Sequence, residues 1–338
     1  MPYIADPETT AFIRHLPKTE THLHIEGALP FELLHAVDPD TYPEPPALWA
    51  DDFRYDSFDQ FMDLYVQYCS AFFTSPERYH EAGKIIFRNC ADQGCRYVEC
   101  SFHAGTVGHM GGPANGPEVV EAIRSAAPEG LPVKVFMGMS HDSHTEPYGL
   151  EVVKGCLDWD GLDGIDLHGR EYLPVEPWTV DLWQRAPKAG KATKAHAGEF
   201  MPARFVRYCV EVLGAQRIQH GVRSVEDPEV LRLLADRGVP LDVCPISNVK
   251  LQVEGIPDMK HHPLPQLLDA GVTCTINSDD PFMFGNTLTE DYIAVHQDLG
   301  LDRRELVALA RNGFRVALMD EAWKAPCFAE LDRIESEI

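Results

Sequence analysis

An alternation along the whole chain restricts the fold more than any other feature. Short apolar, β-branched runs fall at residues 20–24, 95–102, 131–139, 164–167, 192–196, 217–220, 240–244 and 272–277. Helical patterns such as 76–92, 202–213, 227–237 and 263–269 lie between them, several opening on a first-turn Pro, where a missing N–H does no harm. Eight strands alternating with helices predict an α/β fold, a (β/α)8 TIM-type barrel. An open, doubly wound sheet would also satisfy the alternation, but no Gly-x-Gly-x-x-Gly follows any strand. The 338 residues suit one barrel domain over 1–338. Residues 30–75 are too long for an ordinary connection. They hold a Pro-rich piece from Pro39 to Pro46, then Phe58, Phe61, Met62, Tyr65 and Tyr68 at helical spacing, and predict a helical insertion over the barrel mouth.

Charge narrows the partners. With 53 acidic against 29 basic residues the net charge is −24, which repels phosphate backbones and argues against nucleic acid. No stretch approaches the ~20 apolar residues that span a bilayer. The opening Met-Pro-Tyr-Ile-Ala-Asp lacks the regions of a signal peptide, so a cytoplasmic protein is expected. The nine cysteines contain no Cys-x-x-Cys pair and read as buried free thiols. Oligomeric state is left open.

Ionisable residues gather at the C-terminal ends of the expected strands, where barrels build their sites. The first strand ends in His22-Leu23-His24, and residues two apart share a face. The fifth ends in His196-Ala-Gly-Glu199, the sixth in His220-Gly221, the eighth in Ser278-Asp279-Asp280-Pro281. Each alone is unremarkable: a polar strand face, a satisfied barrel histidine, a helix cap. Converging, they would form a nitrogen and oxygen site of the kind that suits zinc. Competing signatures are incomplete. His24-Ile25-Glu26 is followed by no Pro-Cys-x-x-Cys, His80-Glu81 by no second histidine at the required spacing, and strand four, with Asp166 and His168, offers no lysine to bridge two metals.

Six runs together resemble the adenosine deaminase family, with its adenine and aminodeoxyfutalosine deaminase relatives. They are 16–29, containing Thr21-His22-Leu23-His24-Ile25-Glu26-Gly27; Gly164-Ile-Asp-Leu167-His-Gly169; His196-Ala-Gly-Glu199; Arg217-Ile-Gln-His220-Gly221; Cys244-Pro-Ile-Ser-Asn248; and Asn277-Ser-Asp279-Asp280-Pro281. The resemblance implies a (β/α)8 barrel with one Zn²⁺ per chain, held by His22, His24, His196 and Asp279. It implies that zinc acidifies a bound water, that His220 and Asp279 orient it, and that Glu199 protonates purine N1. It also implies that Asp280 meets N7 and the Gly169 N–H meets N3. Phe58 and Phe61 of the insertion would wall the substrate.

The implied reaction removes the 6-amino group of a small adenine-bearing compound. Adenosine or 2′-deoxyadenosine is the first expectation. Adenine and a 5′-extended adenosine such as aminodeoxyfutalosine are the alternatives. A catalytically inactive binding protein on this fold is disfavoured by the intact Glu199. Two departures concern the pocket. Glu26 stands where many of these deaminases have an Asp toward the sugar, and His168 and Arg170 alter the strand-four motif. His141 and His144 read as polar loop residues, and His261-His262 as exposed.

Overall fold

A computed structural model of the chain describes residues 3–69 and 71–338. Eight strands form one sheet in sequence order: β1 (Lys18–His24), β2 (Cys95–His103), β3 (Val133–Ser140), β4 (Gly164–His168), β5 (Ala192–Ala197), β6 (Arg217–His220), β7 (Leu241–Val243) and β8 (Cys274–Ile276). All seven pairings are parallel. The ring closes where Leu23 bridges to Asp279: the His24 N–H donates to Asp279 O at 3.0 Å and the Asp279 N–H to His22 O at 3.1 Å. The expected barrel is present.

Burial on both faces explains the near-continuous apolar run of β3, and β1, though mostly polar, is likewise buried at all seven positions. The last two strands are shorter than the sequence suggests. Pro245 opens a helix straight after β7, and beyond β8 the Asn277 side chain takes the Thr21 N–H at 2.7 Å. Between strands, local signals act as expected. Asp227 caps the helix Pro228–Arg237 by accepting the Glu229 N–H at 2.8 Å, and Gly238, at φ 61°, ends it.

Inside the barrel a charged layer lies among the apolar ones. Glu99 accepts from Lys194 Nζ at 2.6 Å and Arg217 Nη1 at 2.7 Å. Asp242 accepts from Thr21 Oγ1 at 2.9 Å and Thr275 Oγ1 at 2.7 Å. Every one of these groups is buried, and unpaired they would be costly.

After β1 come the helix Phe31–Val37, a turn at Ala47–Trp49 and the helix Phe58–Cys69. Phe61 stacks on Phe284 with ring centroids 5.6 Å apart, and Phe58 packs on Phe200 at 4.7 Å. The insertion is thereby pinned across the C-terminal end of the barrel. All nine cysteines are free and buried. No helix among the described residues is long and apolar enough to cross a membrane.

Candidate metal centre

β1 delivers His22 and His24, β5 delivers His196, and the turn after β8 delivers Asp279. His22 Nε2 lies 3.1 Å from His196 Nε2, and His24 Nε2 lies 3.2 Å from the same atom. Asp279 Oδ1 is 3.2 Å from His22 Nε2 and 3.4 Å from His24 Nε2. A tetrahedral site with metal–nitrogen distances of ~2.0–2.1 Å has edges of about 3.3–3.4 Å. The four donors therefore fit one small cation of that kind.

The opposite edges of these side chains aim them. His22 Nδ1 faces Asp242 O and Cys244 Sγ, each at 3.3 Å. His196 Nδ1 faces Leu167 O at 3.1 Å and Asp166 Oδ1 at 3.3 Å, and His24 Nδ1 faces Ser101 Oγ at 2.9 Å. A carbonyl accepts only, so His22 and His196 keep their protons on Nδ1 and turn Nε2 lone pairs inward. Ser247 Oγ donates to Asp279 Oδ2 at 2.7 Å. Burial holds His22 and His24 well below the usual imidazole range, leaving them neutral, as ligation requires.

Beside this cluster, His220 Nε2 lies 3.6 Å from Glu199 Oε2 and 3.8 Å from Asp279 Oδ2. Burial first, then the carboxylates of Asp279 and Glu171, keeps the Glu199 carboxyl well above its usual range. Burial and the adjoining Asp279 do the same to Asp280. Glu171, which the sequence did not single out, accepts the N–H groups of Glu199 (3.1 Å) and Met201 (2.7 Å) and so shapes the loop carrying Glu199. His220 (φ 61°) and Asp279 (φ 66°) are in the left-handed region, which few residues other than glycine adopt. Each such conformation costs ~1–3 kcal/mol and is retained where surroundings fix it.

Over the donor cluster lies a cavity of about 50 Å³. His24, Phe58, Phe61, Gly169, His196, Glu199, His220, Asp279 and Asp280 all line it, so the sequence-predicted residues come together. His22 sits beneath. His168, Met62, Tyr65, His103, Ser140 and Leu251 also contribute to the wall. Three buried atoms of the lining, Glu199 Oε1, Asp280 Oδ1 and His168 Nε2, have no hydrogen-bond partner in the protein. Glu26 lines an adjoining cavity of about 410 Å³, which shares Met62, Tyr65, His103 and Ser140. One Glu26 oxygen, Oε1, accepts both the Tyr79 hydroxyl (2.5 Å) and the His103 N–H (2.8 Å).

Elsewhere two loop histidines are more buried than expected. His141 is buried against Phe205, and neither it nor His144 lines the cavity over the donor cluster. His261 is exposed as expected, but His262 is only 3% exposed and bonds Asn248. A loop histidine's burial depends on what distant segments fold over it, which local sequence does not carry.

The family model described as Adenosine deaminase matches residues 17–334. The chain belongs to the adenosine deaminase family. It is 32% identical to the adenine deaminase of Chlorobium phaeobacteroides (strain BS1) over 339 residues, covering 97% of this chain and 99% of that one. It is 33% identical to the adenine deaminase of Streptomyces coelicolor over 331 residues, covering 94% and 95%. Among solved structures, the adenine deaminase from Arthrobacter aurescens superposes with a TM-score of 0.82 at 28% identity, covering 94% of this chain and 98% of that one. As a family member the chain is a deaminase of the hydrolytic, metal-dependent kind, acting on an adenine-type ring.

Proposed function

We propose that the chain converts adenine and water to hypoxanthine and ammonia. The observation that carries the chemistry is the four-donor cluster with Glu199 and His220 at its edge, opening into a cavity lined by unpartnered polar atoms. In this reading His22, His24, His196 and Asp279 hold one zinc ion. Bound there, zinc acidifies water and so supplies a nucleophile near neutral pH.

The chain's own residues do the rest. Glu199, kept protonated by its surroundings, delivers a proton to N1. Protonation disrupts the ring's aromaticity and makes C6 electrophilic. His220 and Asp279 orient the attacking oxygen toward one face of the ring. Asp280, also biased toward its protonated form, donates to N7, and the Gly169 N–H meets N3. Phe58 and Phe61 exclude bulk water, which strengthens each of these interactions. The C6–N bond then breaks and ammonia leaves.

Adenosine was the first expectation from sequence, and two observations move the reading to the free base. Relatives matched over nearly their whole length are adenine deaminases. Glu26, the expected sugar-side group, has one oxygen engaged by two protein donors. The adjoining cavity favours a nucleoside. The deciding experiment measures kcat/KM for adenine, adenosine, 2′-deoxyadenosine and 5′-substituted adenosines. Adenine should be preferred well over tenfold, a difference of about 1.4 kcal/mol or more. A preference for any nucleoside would return the assignment to the sequence expectation, and Glu26→Asp would then shift the nucleoside-to-base ratio.

A further inference from the structure

His220 is aimed from behind. Its Nδ1 lies 3.1 Å from Asn248 Nδ2, and Asn248 Oδ1 lies 3.2 Å from His262 Nε2. The far edge of His262 ends the chain: its Nδ1 receives the Leu264 backbone N–H at 3.2 Å. Neither Asn248 nor His262 lines the substrate cavity.

The direction of every link follows from that last one. A backbone amide only donates, so His262 Nδ1 is an acceptor. Burial pushes the His262 imidazole down to about 3, so the ring is neutral and its single proton sits on Nε2. That proton makes Asn248 Oδ1 the acceptor and turns the amide NH2 toward His220. His220 Nδ1 must then accept, and its proton is left on Nε2, the atom facing Glu199 and Asp279. The other tautomer would set a lone pair against the Asp279 carboxylate.

Resting on the deaminase reading above, we infer that Asn248 and His262 are positioning residues that fix His220 as the Nε2–H tautomer, the form able to donate to the attacking oxygen. They touch neither substrate nor the four metal donors. Their effect reaches the reaction through one hydrogen atom, oriented ultimately by the Leu264 N–H.

The test is ¹⁵N NMR of histidine-labelled protein, metal-free and zinc-loaded, with the His220 signals identified by their loss in His220→Gln. The native protein should show His220 protonated at Nε2. Asn248→Asp offers only acceptors, so His220 should gain a proton at Nδ1. His262→Phe should give an average of two tautomers, while His262→Gln, which can both accept from Leu264 and donate to Asn248, should restore the native pattern. Metal content and adenine KM should stay native in all three, with kcat down about tenfold or more in Asn248→Asp and His262→Phe and largely recovered in His262→Gln. Native His220 carrying its proton on Nδ1, or an unchanged pattern in both Asn248→Asp and His262→Phe, overturns the inference. Should adenine not be turned over, the substrate assignment falls while the ¹⁵N pattern still decides this one.

Discussion

Glu199 and His196 stand three residues apart on one strand end and serve separable tasks. Glu199→Gln keeps the shape of the side chain and a hydrogen bond to N1 but has no acidic proton. It should bind metal and adenine as the native protein does while kcat falls by about 10²–10⁴-fold. Native-like turnover would require another proton donor. His196→Ala should do the reverse, lowering bound zinc measured by elemental analysis, because His196 Nε2 sits within 3.2 Å of both β1 imidazoles. Full occupancy in that variant would remove His196 from the ligand set. The raised Glu199 carboxyl also fixes a sign: kcat should decline as pH rises through its pKa, because the acid is then lost. In Glu199→Gln that alkaline limb should disappear.

At the level of elements, strand ends were the legible part. His22 and His24 two apart on a strand, and His196 and Asp279 on others, could be assembled because barrel geometry brings strand ends to one place. The Asn248–His262 pair could not, since it joins a helix after β7, a loop before the last strand and the end of β6. Nor could the direction of Glu26, which depends on Tyr79 from the helix Pro76–Asp92. The turn after β1 carries a further constraint. A Cβ on Gly27 would run into the Asp280 carboxylate. Gly27→Ala should therefore displace Asp280, raising adenine KM about tenfold or more while leaving metal content unchanged. An unaltered KM would show that Asp280 makes no contact with the base.

Over the whole molecule, the buried charges beneath the site tie stability to pH. Burial opposes ionisation of Glu99 most strongly, but Arg217 and Lys194 outweigh it and lower the carboxyl from 4.5 to about 2. A depressed carboxyl stabilises the fold fully above the unfolded value and loses that contribution as pH falls through the folded one. Denaturant titrations should therefore show a decline between pH ~4.5 and ~2 that Glu99→Gln lacks. Near neutral pH the same variant should be less stable by about 3–5 kcal/mol, since buried Lys194 loses its carboxylate partner and Arg217 keeps only Asp242. The seam of the barrel has another kind of consequence. Leu23 meets Asp279 there, and the residues on either side of that contact include three of the four metal donors. During synthesis, at ~5–20 residues per second, roughly 13 to 50 s separate the emergence of His24 from that of Asp279. A nascent chain thus carries two imidazoles early and completes their binding site only with its final strand. Premature capture of metal by a half-made barrel would lack the carboxylate, so full-affinity loading waits for ring closure.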